Sequence, residues 1–333
     1  MKTKHILSAR QFSRQELEKI FTLAEQMEQL VRQKIIPARQ NREGIVLLFF
    51  QPSTRTHSSF VHAANCLGIP VWYSPPDVSV FSSAAKGESL EDTIRIFCNY
   101  PYVKVIVLRH PQNFAAQVAA EVADEYGISV INAGDGTNEH PTQALLDLYT
   151  MRQYSRKDLR QTKLVVANDL ELSRTIRSLL ILLANNFSPE QIGICAPEGI
   201  TLPRELHDEI CREGIEILTF RHLLDAAIWA DFLYMTRPQL EYVAADVQDG
   251  EEKERLIRKR RELFRNFRLT QPLLEQIPPD CPCKIMHPMP IDRRDFGEID
   301  TEASVHPRSI FYQQAQNGLY IRMALLDQLM PQK

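Results

Sequence analysis

The sequence predicts an α/β protein of two doubly wound domains, each with a mainly parallel sheet flanked by helices, the two joined by helices. Three observations carry that expectation. The chain has 333 residues, long for one compact core and comfortable for two. Short apolar runs recur along it with helical patterns between most of them, the alternation that lays helices over parallel strands. No internal repeat or low-complexity linker breaks the pattern. The expected division places 1–145 and a C-terminal helix at 308–333 in one domain and 146–307 in the other.

Taken in order, Ser13 and Glu16 form a capping box, and Leu17, Ile20, Phe21, Ala24, Met27 and Leu30 follow at helical spacing, so the chain opens with an amphipathic helix. After Gly44, residues 45–50 are apolar without alternation, as in a strand buried on both faces, and Ser53 can N-cap a helix that stops near Gly68. Further strand candidates stand at 103–108, 129–132, 164–167, 192–196, 232–235 and 284–286. The segment 140–154 reads as a helix able to link two sheets, and a last helix is expected over 309–330. Glu and Arg alternate through 249–265, which suits a solvated helix or a mobile loop better than a nucleic-acid patch.

Composition sets limits on function. Hydrophobic residues make up 44% and charged residues 24%, the balance of a folded soluble protein. With 39 Lys plus Arg against 42 Asp plus Glu, the net charge of -3 offers no broad attraction to nucleic acid or anionic membrane, so any anion site is local. The longest apolar run, 45–50, falls far short of the roughly 18 to 20 residues that span a bilayer. Residues 1–20 lack the apolar stretch of a secretory signal, and six scattered cysteines suit free thiols in a reducing compartment, so a cytoplasmic protein is expected. Cys281 and Cys283 form a lone C-x-C without the second ligand pair that zinc requires, so neither metal nor cofactor is expected.

Three segments carry chemistry. Ser53-Thr54-Arg55-Thr56 follows a buried strand and opens a helix, where free backbone N–H groups, two kinds of hydroxyl and a guanidinium can meet phosphate oxygens. Arg109-His110-Pro111 stands at the carboxyl end of a strand, where ligands of open α/β sheets gather. His140-Pro141-Thr142-Gln143 puts His140 and Gln143 on an opening helical turn. Singly, Ser53 and Thr54 read as simple caps and His140 as a structural histidine; the three together point to a site that binds an anion and polarises a carbonyl.

These segments together resemble the aspartate and ornithine transcarbamoylase family. The likeness spans nearly the whole chain: FFQPSTRTHSSF at 49–60, KGESLEDT at 86–93, VLRHP at 107–111, NAGDGTNEHPTQALLDL at 132–148, NDLELSRT at 168–175, YMTRPQ at 234–239, HPMP at 287–290 and FYQQAQNGLYIRMALL at 311–326. Ornithine members typically carry HCLP and a D-x-x-x-SMG segment, whereas this chain has HPMP and TRPQ, so the resemblance points to the aspartate branch. The chain departs from the usual pattern at Gln51, where Glu is common, at His57, where a second Arg is common, at Asn168 and Ser173, where glycines are common, and at Ala85, where a second Lys can stand. The stretches 291–298 and 246–267 are also longer than usual.

The resemblance implies transfer of the carbamoyl group of carbamoyl phosphate to the amino group of L-aspartate, giving N-carbamoyl-L-aspartate and phosphate for pyrimidine synthesis. It implies a phosphate held by Ser53, Thr54, Arg55, Thr56 and Arg109 in a crevice between domains, with the carbamoyl group meeting Thr56, Arg109, His140 and Gln143. The backbone around Met289 and Pro290 would contact that group and the attacking amine, and Arg174, Arg237 and Gln239 would bind the acceptor. A loop with Ser82 and Lys86 would come from a neighbouring subunit, which implies a homotrimer with shared active sites. Two other readings stay open. One is a transcarbamoylase with another amino-acid acceptor, prompted by Gln51, His57 and Ala85. The other is a catalytically silent paralogue acting as an assembly or regulatory partner, against which Arg55 and His140 stand. A regulatory or pathway partner leaves no signature in these residues.

Overall fold

The apolar run after Gly44 is strand β1 (Gly44–Phe49), buried at every position. It belongs to a computed structural model of the chain that describes residues 4–39, 42–75, 77–81, 86–243, 247, 249–265, 267–293 and 297–331. Contacts divide the chain into two units, Met1–Leu146 with Gln316–Lys333, and Asp147–Ala315.

In the first unit β1 is joined by β2 (Val71–Tyr73), β3 (Val103–His110) and β4 (Ser129–Asp135) in the order β2-β1-β3-β4, parallel throughout. Its helices are α1 (Arg14–Arg32), α2 (Thr54–Cys66), α3 (Val78–Phe81), α4 (Leu90–Cys98) and α5 (Ala115–Asp124). The capping box of α1 forms: Glu16 N donates to Ser13 Oγ at 3.3 Å and Ser13 N to Glu16 Oε2 at 3.0 Å. One face of the sheet, with Val46, Leu48, Ile106, Leu108 and Val130, packs on the alanines of α5 and on Ile94 and Cys98 of α4. The opposite face, with Ile45, Leu47, Val105, Val107 and Ile131, is equally withdrawn from water. Burial on both faces explains why β1 shows no polar alternation. Strands β3 and β4 run past the expected 103–108 and 129–132, to His110 and Asp135. Strand β2 was not foreseen; its three residues, each partly or fully exposed, carry no readable pattern.

Helix α6 (Pro141–Tyr154) contains the first division between the units, and its polar Thr142, Gln143, Asp147 and Thr150 are all buried. The second unit then alternates β5 (Leu164–Ala167), α7 (Arg174–Phe187), β6 (Gln191–Cys195), α8 (Arg204–Arg212), β7 (Glu216–Phe220), α9 (Leu223–Trp229) and β8 (Phe232–Met235). After it come α10 (Gly250–Phe264), α11 (Gln271–Glu275), β9 (Lys284–Met286), α12 (Thr301–Ser304) and α13 (Phe311–Leu329), which contains the second division, so that its residues from Gln316 on belong to the first unit. The sheet order is β7-β6-β5-β8-β9, again parallel. Val165, Ala167, Leu233, Met235 and Ile285 pack on Leu223, Ala226 and Ala227 of α9. Edge strand β7 escaped the sequence reading because Glu216 and Thr219 are exposed and break the apolar run. Of the two readings of 249–265, the helix is the one present: α10 is N-capped by Asp249, whose side chain accepts from Glu251 N and Glu252 N.

Each sheet has one switch point. From β1 the chain passes to β2 on one side and β3 on the other; from β5 it passes through β6 to β7, and β8 then lies on the other side. Open parallel sheets bind ligands at the carboxyl ends of the strands flanking such points. No helix among the described residues is long and apolar enough to cross a membrane.

Candidate active site

The first switch point holds most of the expected phosphate residues. Ser53 occupies the N-cap position of α2, with φ -158° and ψ 99°, but its hydroxyl makes no capping bond, which removes the simple-cap reading. Thr54 and Arg55 are exposed and Thr56 is buried. Phe49 stands in register with Arg109, and Phe50 N donates to Arg109 O at 2.8 Å, so Arg109 lies directly beside the turn leading into α2. Arg109 Nη1 donates to Ala133 O of β4 at 3.2 Å. His110 pairs with Asp135, and Gly136 N donates to His110 O at 2.9 Å, which brings the loop before His140 alongside as well. His140 and Gln143 are 4% and 8% exposed, on the opening turn of α6. The register therefore gathers Ser53–Thr56, Arg109, His140 and Gln143 along the carboxyl ends of β1, β3 and β4.

Supporting groups fix this edge. Asp135 accepts from Asn132 Nδ2 at 3.0 Å, Asn138 Nδ2 at 3.2 Å and Glu139 N at 3.1 Å. Burial pushes its carboxyl above the usual range despite those bonds. Glu139, immediately before His140, accepts from Ser8 Oγ at 2.6 Å, Ala9 N at 2.7 Å and Arg10 Nη1 at 2.8 Å. His57, where the family often has Arg, lies edge-on to Phe49 and bonds Ser74 Oγ at 2.8 Å, tying the first turn of α2 to the segment after β2. Lys86 is exposed; Ser82 and Ala85 lie outside the described residues.

The second switch point holds the expected acceptor residues. Asn168 takes φ +85°, where the family often has glycine, and its Nδ2 donates to Thr236 O at 2.6 Å, stitching the turn after β5 to the turn after β8. Asn tolerates that left-handed conformation better than other side chains. Asp169 is fully buried and accepts from Leu172 N at 3.3 Å, Gln239 N at 2.7 Å and Arg260 Nη2 at 2.6 Å. Arg174, the first residue of α7, donates from Nη1 to Tyr242 Oη at 3.2 Å. Ser173, another departure from glycine, caps α7 by accepting from Ile176 N at 3.4 Å.

Arg237 forks onto Glu241, with Nη1 2.9 Å from Oε2 and Nη2 against Oε1. Burial pushes the Glu241 carboxyl up, but the bonds and charge of Arg237, with the charge of Arg174, hold it below its ordinary 4.5. The Gln239 side chain donates to Arg237 O at 3.2 Å. Two cations thus flank a carboxylate the chain itself supplies, an arrangement suited to an acceptor bearing two carboxylates.

Met289 and Pro290 follow β9 and are joined by a cis peptide. His287 Nδ1 accepts from Met289 N at 2.8 Å, so the neutral ring carries its proton on Nε2, which donates to Glu298 Oε1 at 2.9 Å. Backbone His287 N donates to Gln314 Oε1 at 2.8 Å, and Gln314 Nε2 donates to Asp147 Oδ1 at 2.6 Å. Cys281 donates its thiol to Ala227 O at 3.6 Å, and burial pushes the Cys283 thiol up to about 12. Sequence reasoning missed Glu139, Asp169, Glu241, Arg260 and the His287–Glu298 pair as supports. Glu139, Asp169 and His287 stood inside quoted motifs, but their partners lie elsewhere in the chain.

Two family descriptions match. Residues 4–153 fit "Aspartate/ornithine carbamoyltransferase, carbamoyl-P binding domain", and residues 160–329 fit "Aspartate/ornithine carbamoyltransferase, Asp/Orn binding domain". The chain is 38% identical to an aspartate carbamoyltransferase catalytic subunit of Saccharophagus degradans, over 96% of this chain and 90% of that protein. It is 37% identical to the catalytic subunit from Methanosarcina mazei, over 98% and 96%. A crystal structure of aspartate transcarbamoylase from Trypanosoma cruzi with carbamoyl phosphate and aspartate superposes with TM-score 0.82 at 32% identity, covering 98% of this chain and 96% of that one. The catalytic subunit of the M. jannaschii aspartate transcarbamoylase superposes at 0.79 and 33% identity, covering 98% of each.

Proposed function

The chain belongs to the aspartate/ornithine carbamoyltransferase family, and on that premise we propose that it transfers the carbamoyl group of carbamoyl phosphate to the amino group of L-aspartate. The products are N-carbamoyl-L-aspartate and phosphate, a step of pyrimidine synthesis. The observation that carries the reading is the character of the two switch points. One gathers hydroxyls, a helix N-terminus and Arg109; the other sets Arg174 and Arg237 about one carboxylate.

In this reading Ser53, Thr54, Arg55, Thr56 and Arg109 take the phosphate, through the N–H groups opening α2 and charge-assisted bonds from guanidinium. The deprotonated amine attacks the carbamoyl carbon, the new N–C bond forms, and the C–O bond to phosphate breaks. Negative charge gathers on the carbonyl oxygen, where Thr56, Arg109 and His140 stabilise it, with Gln143 and the backbone at Met289 and Pro290 orienting the amide. The proton lost by the amine leaves with phosphate. No side-chain nucleophile is required, and holding two substrates in line supplies much of the rate. Arg174, Arg237 and Gln239 take the acceptor's carboxylates; Arg237 exchanges Glu241 for, or shares it with, the substrate.

The catalytic unit in this reading is a cytoplasmic homotrimer in which Ser82 and Lys86 complete a neighbour's site. The exposure of Lys86 supports it, as do the exposed Trp72, Tyr100 and Tyr102 of the same unit, an aromatic face suited to burial against another copy. Assay of a panel of amino acids with carbamoyl phosphate tests the reaction. Aspartate should be carbamoylated in preference to ornithine and other amines; turnover of another amine without aspartate would reassign the acceptor, and turnover of none would overturn the enzyme reading.

A further inference from the structure

Helix α10 plays no part in the reaction as derived so far. Most of its residues are charged, and Phe264 is its buried side chain. One turn earlier, the guanidinium of Arg260 lies 5.6 Å from the Phe264 ring. It reaches Asp169 with Nη2 at 2.6 Å and Glu171 with Nη1 at 2.8 Å. The Arg260 side chain is 13% exposed and that of Asp169 0%. A carboxylate wholly withdrawn from water is tolerated only when a cation and N–H donors meet it. Asp169 has all of these: Arg260, the backbone N–H of Leu172 and the backbone N–H of Gln239. Leu172 stands two residues before Arg174 and Gln239 two residues after Arg237. One carboxylate therefore ties together both segments that carry the acceptor cations, and α10 supplies its counter-charge.

We propose that α10 is a positioning clamp for the amino-acid acceptor: Arg260 seats Asp169, and Asp169 sets the segments that present Arg174, Arg237 and Gln239 to the acceptor's carboxylates. The inference rests on the acceptor reading above. Arg260 acts through Asp169 and is a positioning residue. Its planar fork meets two carboxylates at once, Asp169 and Glu171, which the single ammonium of lysine does not reproduce. The phosphate residues belong to the other unit, so the clamp bears on the acceptor alone.

Steady-state kinetics of the full-length enzyme, with aspartate and carbamoyl phosphate varied separately, tests it. In Arg260→Ala the KM for aspartate should rise by about tenfold or more, with the KM for carbamoyl phosphate within about twofold of the unaltered enzyme. Arg260→Lys should lie between them, and ethylguanidinium added to Arg260→Ala should recover part of the lost aspartate affinity. An unchanged aspartate KM overturns the clamp. So does an equal rise in both KM values, or a loss confined to apparent kcat that follows the folded fraction measured by circular dichroism. If Arg260→Ala does not fold, Arg260→Lys decides: a raised aspartate KM supports the clamp and an unchanged one overturns it. Absence of aspartate turnover in the unaltered protein overturns the acceptor reading itself, an outcome distinct from normal turnover with indifferent variants.

Discussion

His110 closes β3 beside Arg109, and its titration can be foretold with sign and size. Its ring packs on Phe50 with centroids 4.9 Å apart, and Nδ1 accepts from Gln112 N at 3.1 Å. Burial lowers its pKa from 6.5 to about 4. As pH falls through 6.5 the unfolded chain takes up a proton at this ring that the folded chain refuses until about 4. The group's stabilising effect is therefore complete above 6.5, drains away between 6.5 and about 4, and changes no further below. At ~1.4 kcal/mol per pH unit, the whole interval amounts to about 3 kcal/mol as an upper bound. A His110→Gln variant removes the ionisation. Between pH 7 and pH 5 the unaltered protein should lose up to about 2 kcal/mol more than the variant, read by denaturant unfolding. Carbon-13 NMR of labelled histidines, assigned by the variant, should find His110 still neutral at pH 5.5. A midpoint near 6.5, or parallel stability losses in the two proteins, would refute the reasoning.

Three further outcomes follow from the same geometry. Gly136 has φ +51°, and a Cβ there would stand 1.9 Å from Asn113 Oδ1, so Gly136→Ala should cost about 1 to 3 kcal/mol; thermal melting reads the loss, and kinetics should show weaker use of carbamoyl phosphate because the loop before His140 moves. The lowered carboxyl of Glu241 contributes stability above its ordinary 4.5 and loses it as pH falls through its folded value. Unaltered protein should therefore exceed Glu241→Gln by up to about 1 kcal/mol at pH 7, the pair being partly exposed, and the gap should close only below pH 4.5. Mixing inactive Arg55→Ala and Lys86→Ala proteins should restore some activity if sites are shared; none after proven subunit exchange would count against sharing.

The legible part of the fold was the part whose signal is local. Residues 45–50 announced β1 because both its faces are buried, and Ser53–Thr56, Arg109 and His140 could be read because each stands at the carboxyl end of a strand or the opening of a helix. What stayed hidden depends on partners far apart in the chain. Asp169 and Arg260 are separated by 91 positions, and Glu139 and Ser8 by 131. Nothing in either local pattern names the other member, and 249–265 read as mere solvated charge because a salt bridge to a distant buried carboxylate leaves no periodicity. Strands β2 and β7 were missed for the opposite reason: at sheet edges their side chains are partly exposed, so the hydrophobic pattern that marks the inner strands fades. Asn168 shows the limit of comparison by residue type. It departs from glycine yet keeps the left-handed backbone, and its side chain adds the bond to Thr236.

The most direct test of the account is a crystal structure of this protein with N-(phosphonacetyl)-L-aspartate, the ligand of one of the similar Trypanosoma cruzi structures. The phosphonate should lie on Ser53, Thr54, Arg55, Thr56 and Arg109, the amide carbonyl by Thr56 and His140, and the two carboxylates on Arg174 and Arg237 with Gln239 beside them. A phosphonate bound away from the α2 N-terminus, or carboxylates that leave both arginines untouched, would contradict it.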